Sequence, residues 1–532
     1  MRQRKSKVAE QRRPTHHSHR FGRCLFILLP LAILLSRLPF LLNDSAYLDG
    51  DESLYGIMTL HFLEGKGLPI LPYGQGYGVS VIETLVMAVF AWLLGLTPTV
   101  MQLSMLSLWA LAVTAFALAA RRFAGDLAAA VATALLVSSP GWGHVSLASW
   151  GYNQTAFLAT NISLWLIAGL IQEDRKRSPG LLFALGLSVG IASVTQPIYA
   201  LALSPFLWLA VRGRRLPDGF YVALGFAIIA SLFVLLRALD RVYWQPQLFE
   251  DPDVIASLWL MPHRLWVVLS GAYVLDIALP VALVTVITAT LWSLCALALA
   301  IRVVLRSGRN SNFTASHACI LAVVLVLLFS LAVTPADYGY RYGLPAVGFI
   351  CLALGIELAA TLQAKQRTMR MTACAILAIF LFGGSVSLVE LGRLNFSGTA
   401  VRSGGPEGHA IQTLVDYLLR NQIQYVFCPE GMFQWKLIFV SRERIKTRWF
   451  DPVDRYPAYA QAVDQALFSG QPVAIVHEAK DVRAFTAWLA QAGFGYLKPE
   501  FVADRYIVLQ NPPQKLLDPW FQNSAPGRQP VR

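Results

Sequence analysis

Charged side chains are scarce in this sequence. Asp, Glu, Lys and Arg make up 14% of its 532 residues, whereas soluble domains carry about 25%. Hydrophobic residues account for 56%, and runs such as 279–301 and 319–333 approach the ~20 apolar residues that a helix needs to cross a hydrocarbon core of roughly 30 Å. The composition excludes a soluble globular protein and predicts a polytopic α-helical membrane protein with about 11–13 transmembrane helices.

Cysteine is also rare, with six residues in the chain. Five of them lie in apolar segments, where a free thiol behaves as a small hydrophobic side chain. Cys428 is the only cysteine in the more polar C-terminal part, so that part has no disulfide of its own. This usage excludes a disulfide-stabilised scaffold.

Acidic residues are outnumbered by basic ones, and the formal net charge is +13. The basic residues cluster at the edges of apolar segments, at 2–7, 175–177, 212–215 and 365–370. Cytoplasmic loops of membrane proteins carry this excess of Lys and Arg. We therefore interpret the charge as a topology signal, with a cytoplasmic N-terminus and an extracytoplasmic C-terminal part, and exclude a nucleic-acid-binding surface.

The N-terminal region precedes the first apolar run, 24–42. Its segment 11–20 contains three His residues, which would bind a metal weakly, but residues 1–23 are predicted to be a disordered basic cytoplasmic tail. The apolar run follows basic residues, as in a signal peptide, yet it lacks a clear small-residue cleavage site. We interpret it as a retained membrane anchor.

Topology is consistent in the second half of the chain and inconsistent in the first. If the N-terminus and the basic loop at 175–177 both lie inside, an even number of crossings must separate them. The apolar candidates between them are 24–42, 80–96, 101–120, 127–139 and 155–171. Either one of them does not cross or one basic loop departs from the rule. The shortest, 127–139, is the first candidate for a segment that does not cross.

The chain divides by composition into four parts. A multi-span transmembrane domain at 24–394, with an external loop at 43–79, follows the tail. A small extracytoplasmic α/β domain is predicted at 395–511, because strand-like runs at 424–428, 472–477 and 506–510 alternate with helical patterns. The Pro-rich end, 512–532, is predicted to be disordered. We expect the α/β domain to serve as a lid or an acceptor-binding module.

The stretch 47–56, YLDGDESLYG, concentrates acids at a membrane boundary. Asp49, Asp51 and Glu52 precede a short apolar helix predicted at 54–63. Asp51 occupies a position suited to a helix N-cap, where Asp is favoured, so the stretch is open to both a structural and a catalytic interpretation. Asp49 and Asp51 also form a D-x-D pattern that would supply oxygen ligands to a divalent cation.

Further polar candidates lie near this boundary, and each has a structural alternative. Glu83 is placed just inside the predicted second span, where an acid is costly; substrate contact and helix packing both explain it. Lys66 would bind an anion or be simply solvated. Gln75 and Tyr77, in a glycine-rich segment, would hydrogen-bond a polar substrate. Trp150, Tyr152 and Asn153 would line the same cavity or belong to an interfacial aromatic belt.

The order of these motifs resembles a known family. An anchor helix, an external loop with Asp51-Glu52, and then YGQGYGVSVIETL resemble the GT-C-fold glycosyltransferases that use polyprenyl-phosphate donors. The similar branch comprises bacterial relatives of protein O-mannosyltransferases and the lipid A aminoarabinose transferase. The late motif YGYRYGLPAVG at 338–348, WKLIFVSRER at 435–444 and RYP at 455–457 extend the resemblance along most of the chain.

The resemblance implies a function. It implies an inner-membrane enzyme of bacteria that moves a sugar from a polyprenyl phosphate to an envelope lipid, glycan or protein, with Asp51 as general base and Asp49 and Glu52 assisting. Arg341, beside Tyr340 and Tyr342, would offset the charge of the leaving phosphate; the alternative is an interfacial snorkelling Arg. Tyr338 and Tyr342 of the same motif are further substrate-binding candidates. No cofactor is implied with certainty, and a divalent cation, if used, would bind Asp49 and Asp51.

Other classes of function share these features. A flippase or hydrolase of lipid-linked sugars would need the same cavity without an acceptor site, and a catalytically dead assembly factor would keep the fold. A transporter would use the acids for ions, but transporters commonly show internal symmetry and acids near the midplane. Here the halves differ and the acids lie on one external loop, which favours surface chemistry.

Overall fold

The computed structural model describes most of the chain. The described residues are 16–42, 48–75, 78–150, 152–172, 178–212, 216–239, 258–271, 273–274, 277–278, 282–307, 314–333, 340–393, 407–449, 456–478 and 482–517. The predicted substrate-binding residues Tyr77 and Tyr338 lie outside them, as do most of the two predicted disordered tails.

Helices dominate the membrane domain. They are α1 His16–Leu41, α2 Gly50–Leu63, α3 Val81–Leu94, α4 Pro98–Ala124, α5 Asp126–Ser138, α6 Asn153–Gln172, α7 Pro179–Thr195, α8 Pro197–Val211, α9 Leu216–Leu239, α10 Met261–Ser270, α11 Leu283–Ser307, α12 Ala315–Val333, α13 Pro345–Leu362 and α14 Arg367–Arg393. Short 3-10 turns occupy Pro140–Trp142, Leu258–Leu260 and Tyr340–Gly343, and a two-residue hairpin pairs β1 Tyr273–Val274 with β2 Ile277–Ala278.

Among the described residues, seven helices are long and apolar enough to span a membrane, and five shorter apolar helices accompany them. This agrees with the predicted polytopic α-helical architecture. The helices share one core of buried side chains that reaches from Leu29 of α1 to Leu391 of α14. Small residues allow close approach where helices cross, as at Gly355, whose added Cβ would lie 2.4 Å from the Cβ of Ala132.

The helix α3 resolves the topology of the first half. Its N-terminal side is tied to the segment after α2 by the Ser80 N–H, which donates to the Ile70 carbonyl (2.9 Å). At its other end, Leu96 packs against the apolar cluster that contains Tyr55 of α2 and Trp435 of the C-terminal domain. Both ends of α3 therefore lie on one face of the bundle, called here the C-domain face, and α3 does not cross.

Two helices of the first half differ from the sequence interpretation. The ends of α3, in the candidate segment 80–96, lie on one face of the bundle, whereas those of α5, the first candidate for a segment that does not cross, lie on opposite faces. One end of α5 holds Asp126, which pairs with Arg121 (2.6 Å), and the other leads through the 3-10 turn to Trp150 at the C-domain face. Hydropathy misassigned α3 because an apolar helix lying in the interface has the same composition as a short span.

The C-terminal domain is a small α/β unit, as predicted. Its elements are α15 Glu407–Arg420, β3 Tyr425–Phe427, α16 Gly431–Val440, β4 Lys446–Arg448, α17 Pro457–Phe468, β5 Val473–Glu478, α18 Val482–Gln491, β6 Glu500–Val502 and β7 Tyr506–Gln510. The sheet order is β4-β3-β5-β7-β6. The strands β4, β3 and β5 run parallel, and β7 and β6 add antiparallel.

The domain continues past the predicted start of its disordered tail. Leu516 and Leu517 are buried against Val473 and Leu509 in one of its two apolar layers. Residues 512–517 thus belong to the folded domain, because their leucines join the apolar layer that α17 and α18 form with the sheet.

Candidate active site

The stretch YLDGDESLYG forms the start of α2. Asp49 is the N-cap: its side chain accepts from the Glu52 N–H (2.7 Å), and Glu52 in return accepts from the Asp49 N–H (3.3 Å). This reciprocal pair is a capping box. The prediction that Asp51 is the cap was wrong, because the helix begins at Gly50 and Asp51 already lies in its first turn.

A second segment of the chain fixes the same two acids. The Trp150 indole N–H donates to Asp49, and the Ser149 N–H donates to Glu52 (3.3 Å). Both acids are almost completely buried. Asp49 and Glu52 are thus committed to the backbone and to Trp150, which makes them positioning residues for the helix start.

Burial changes the acidity of this pair. Burial, followed by the charge of Asp51, raises the pKa of Asp49 to about 7. Burial, followed by the charge of Asp49, raises the pKa of Glu52 well above its usual value. The ammonium of Lys436, on α16 of the C-terminal domain, opposes both shifts. The pair is poorly placed to accept a proton from an incoming acceptor, because both side chains are buried and their oxygens already accept hydrogen bonds from the backbone and from Trp150.

Asp51 differs from its neighbours because it faces Arg341. The Asp51 Oδ2 and Arg341 Nη1 atoms are 3.8 Å apart, and the side chains retain 15% and 27% exposure. Charge-assisted hydrogen bonds measure about 2.7–2.9 Å, so this contact is an ion pair longer than a direct hydrogen bond. The fold thus joins the first-loop motif to the late motif, as the resemblance implied.

The arginine is held at the start of α13. Arg341 lies in the 3-10 turn Tyr340–Gly343, and its guanidinium carbon is 5.6 Å from the centre of the Tyr342 ring. The turn ends at Gly343, two residues before Pro345. Proline is favoured at the first position of a helix because it lacks an N–H. This arrangement aims Arg341 at the C-domain face.

Glu83 has a structural partner. The side chain is fully buried on α3, and Glu83 Oε1 accepts from the Thr155 N–H (3.2 Å) in the first turn of α6. A carboxylate at a helix N-terminus satisfies an unpaired N–H and is stabilised by the helix dipole. The contact favours helix packing over direct substrate contact. Glu83 does not lie inside a span, because both ends of α3 lie on the C-domain face.

Tyr152 and Asn153 stand beside this contact. Tyr152 adopts a left-handed backbone (φ 74°), and its ring lies where a Cβ on Gly78 would be, 2.4 Å from the ring edge. Gly78 also has positive φ, so only glycine fits. Asn153 is buried, and its Oδ1 accepts no hydrogen bond within the described part of the chain. Gln75, in the glycine-rich segment, is half-buried.

Lys66 points away from the acids. It pairs with Glu443 (2.7 Å) and Glu64 (2.8 Å) at the C-terminal end of α2. With 14 residues in α2, this is ~20 Å from Asp51. The structure therefore does not support the binding of one phosphate by both Lys66 and Arg341.

Glu443 is the centre of a polar cluster that sequence reasoning did not identify, called here the latch. It comprises His61, Lys66, Tyr73, Glu443, Tyr456 and Tyr459. Glu443 Oε1 lies 2.9 Å from His61 Nε2 and accepts from the Tyr459 hydroxyl (2.6 Å). The bond to His61, with those from Lys66 and Tyr459, outweighs burial and lowers the pKa of Glu443 to about 2.

The latch joins the first loop to the C-terminal domain. His61 and Tyr73 come from the loop, while Glu443 and the two other tyrosines come from the domain. Glu443 and Tyr456 belong to the WKLIFVSRER and RYP motifs. The sequence identified both motifs, but only the fold shows that both contact α2.

Two glycines bring α2 against α16. A Cβ on Gly50 would lie 2.5 Å from the Met432 carbonyl oxygen, and one on Gly56 would lie 2.3 Å from the Phe439 ring. These are the glycines of YLDGDESLYG. They explain why a helix start rich in acids also carries residues that weaken helices.

Arg37 is another residue that sequence reasoning missed. It is fully buried in α1, bonded to Ser146 Oγ (2.7 Å) and the Val137 carbonyl (2.9 Å), and lies over the Trp109 ring. It anchors the segment that delivers Ser149 and Trp150 to α2. The available signal was a charged residue inside an apolar run, which is rare and usually meaningful.

In the C-terminal domain, Glu430 and His477 lie close together. Glu430 Oε1 lies 3.6 Å from His477 Nδ1, and the same nitrogen is 2.8 Å from the Glu478 carbonyl oxygen. The neighbouring strand β3 and helix α16 bring the two side chains together at the carboxyl end of β5.

The residues proposed for a divalent cation diverge. Asp49 turns to Trp150 and Asp51 to Arg341. Across the ranges that the structure describes, no group of three or more His, Cys, Asp or Glu side chains is arranged to hold a metal ion. The arrangement at Asp51 is instead that of a carboxylate beside a guanidinium.

Comparison with known proteins places the fold. No protein-family model and no curated protein matches the sequence. Among solved structures, ArnT from Cupriavidus metallidurans bound to undecaprenyl phosphate is similar, with a TM-score of 0.61, 14% identity and coverage of 92% of this chain and 98% of that chain. The same protein in the apo state has a TM-score of 0.60 and 15% identity, with coverage of 93% of this chain and 99% of that chain. The chain therefore has the GT-C architecture that its motifs resemble, with the C-terminal domain included.

Proposed function

We propose that this chain is an integral membrane glycosyltransferase that moves a sugar from a polyprenyl-phosphate donor to an envelope lipid, glycan or protein. The observation that carries the proposal is the pair formed by Asp51 and Arg341, 3.8 Å apart at the C-domain face. One group suits proton acceptance and the other suits phosphate. The fold shared with ArnT, solved with undecaprenyl phosphate, supports the class of donor.

The charge at the helix ends supports an outer location for this pair. At the face opposite the C-terminal domain lie Arg121, Arg122, Arg302 and Arg367. Because cytoplasmic loops are enriched in Arg and Lys, that face is assigned to the cytoplasm. The C-domain face is then periplasmic, where a lipid-linked sugar meets envelope acceptors.

In the proposed reaction, Asp51 takes the proton from the acceptor hydroxyl or amine. The acceptor atom forms a bond to the anomeric carbon of the sugar, and the bond from that carbon to the phosphate oxygen breaks. The electron pair leaves with the oxygen as polyprenyl phosphate. The products are the glycosylated acceptor and the lipid phosphate.

Arg341 offsets the charge that develops on the leaving phosphate. A guanidinium has five N–H donors in a planar fork that matches phosphate oxygens, so it can bind phosphate while staying near Asp51. The Arg341 side chain is 27% exposed, so a substrate phosphate at this face can reach it. Asp49, Glu52 and Glu83 hold helices in place, and Asn153 offers an unused oxygen to a sugar or acceptor.

The test compares envelope glycolipids and glycans by mass spectrometry in a deletion strain carrying wild type, Asp51→Asn or Asp504→Asn. Asp51 does not cap α2, so its replacement removes a base without removing the cap. We expect wild type and the Asp504→Asn control, an exposed acid in the C-terminal domain, to restore a product that Asp51→Asn does not.

The outcomes separate the candidate functions. If wild type and the Asp504→Asn control restore a product that Asp51→Asn does not, the mass of that product identifies the transferred sugar. Full restoration by Asp51→Asn at equal protein level would refute the role of Asp51 as base. Accumulation of unmodified lipid-linked sugar on the cytoplasmic side, with no transferred product in any strain, would instead indicate a flippase.

A further inference from the structure

We propose that a second site, separate from Asp51, binds an anionic, phosphate-bearing lipid of the surrounding leaflet. The site is a cavity of about 470 Å³ between α2, the turn joining α3 to α4, and the C-terminal domain, called here the junction cavity. The inference goes beyond the transfer reaction and does not depend on it.

The junction cavity lies behind α2 as seen from Asp51. Ser53 and Leu60 line it, and at 100° per residue they project roughly 160–180° away from Asp51 around the helix. A molecule in this cavity therefore does not occupy the position where Asp51 and Arg341 meet.

The rim of the cavity is at the membrane surface. The turn Gly95–Pro98 forms one edge, and α3, which runs into it, exposes Trp92 (77%), Leu93 and Leu94. A surface helix with such an apolar face is buried in the boundary between headgroups and acyl chains. A lipid beside Trp92 is thus in direct reach of the cavity.

The lining suits an amphipathic molecule. Apolar walls come from both sides of the junction, with Leu48 and Leu96 from the membrane part and Phe439 and Val440 from α16. These walls are suited to the glycerol and the first methylenes of an acyl chain. A free inorganic anion would leave this apolar surface uncovered.

Two cations line the same cavity. Lys436 is buried and lies near the start of α2, whereas Arg442 is exposed. Arg442 forms no ion pair with any described residue, and its neighbour Glu443 is engaged by the latch. Gln412 completes the rim as a hydrogen-bond donor and is held by Asp416 (2.9 Å). A phosphodiester placed between Arg442 and Gln412 would form an ion pair with the exposed Arg442 guanidinium.

The test uses the full chain in phosphatidylcholine nanodiscs that contain a trace of phosphatidylglycerol with a diazirine near its headgroup. After irradiation, labelled peptides are mapped by mass spectrometry. We expect labels at 95–98 and 436–442, and a decrease of about fivefold in Arg442→Gln, the factor for one surface cation acting on an anionic lipid. Arg444→Gln, an exposed cation two residues away that does not line the cavity, serves as the control and should label as wild type does.

Further measurements in the same experiment distinguish an anionic lipid from other ligand classes. Gln412→Trp narrows the cavity and should reduce labelling without changing its charge. The same diazirine on phosphatidylcholine should label the cavity several-fold less. Equal labelling by both lipids, labelling of Arg442→Gln at the wild-type level, or loss of labelling on addition of millimolar inorganic phosphate would each overturn the proposal.

Discussion

The contact between α2 and α16 should be unusually sensitive at Gly50. In Gly50→Ala, the new Cβ would lie 2.5 Å from the Met432 carbonyl oxygen and 2.7 Å from its Cα. These are backbone atoms, so no side-chain rotation relieves the overlap. The helix that carries Asp51 must therefore move relative to the C-terminal domain, or α16 must move.

The sign of the effect follows from two opposing magnitudes. Replacing Gly with Ala in a helix gains at most about 1 kcal/mol, whereas overpacking a close contact costs about 1–3 kcal/mol. We therefore expect Gly50→Ala to destabilise the protein by about 1–2 kcal/mol. In Gly56→Ala the obstacle is the Phe439 ring at 2.3 Å, which can shift, so the cost should be smaller.

The matched control is Gly180→Ala. Gly180 also lies in the first turn of a helix, α7, and no atom lies within 4 Å of its added Cβ. Apparent melting temperatures in detergent, with product formation in the complemented strain, should rank Gly50→Ala lowest, then Gly56→Ala, with Gly180→Ala at or above wild type. Equal melting and activity for Gly50→Ala and Gly180→Ala would refute the close packing of α2 on α16.

Three further predictions concern charged groups. Burial raises the pKa of Asp49 from 3.8 to about 7, so the folded chain holds more protons than the unfolded chain between about pH 4 and pH 7, and stability falls as pH rises through that window. Asp49→Asn keeps the cap and should flatten the dependence of melting temperature on pH in that window. An unchanged slope would contradict the pKa shift. The pKa of Glu443 is lowered from 4.5 to about 2, so the stability it contributes is present above about pH 4.5 and lost as pH falls towards 2; Glu443→Gln should melt below wild type at pH 7 and converge with it in acid, whereas parallel curves would argue against the latch. Arg341→Gln should reduce sugar transfer by about 10²–10³-fold, the cost of losing one electrostatic stabiliser, with Arg341→Lys retaining part of the rate; wild-type turnover in Arg341→Gln would exclude a role in the reaction.

The C-terminal domain shows how far pattern alone reached. The runs predicted at 424–428, 472–477 and 506–510 became β3, β5 and β7. The edge strands β4 and β6 have three residues each, as β3 does. β4 reads KTR and β6 reads EFV, so neither has the continuous apolar run that marks β3, and their pairing depends on the neighbouring strands. Local periodicity predicts the central strands, and edge strands depend on their partners.

The acids of the first loop show the opposite case. Their concentration marked the site, but the sequence could not say which of them is reachable. The choice of Asp49 as cap depends on the helix beginning at Gly50, and its burial depends on Trp150, a hundred positions away in the chain. Asp51 was left to face Arg341 because the other two acids are occupied by backbone N–H groups.

The sequence by itself determined the membrane class, the GT-C-like order of motifs and the α/β character of the C-terminal domain. The membrane class and the α/β character follow from composition and short-range periodicity, which act within one helix or strand, whereas the GT-C-like order is a resemblance of motifs. Only the tertiary structure decided that α3 lies on the surface, that Asp51 meets Arg341, and that the latch ties α2 to the C-terminal domain. Each of these depends on contacts between segments far apart in the chain, and the geometry of such contacts is set by packing that no local pattern encodes.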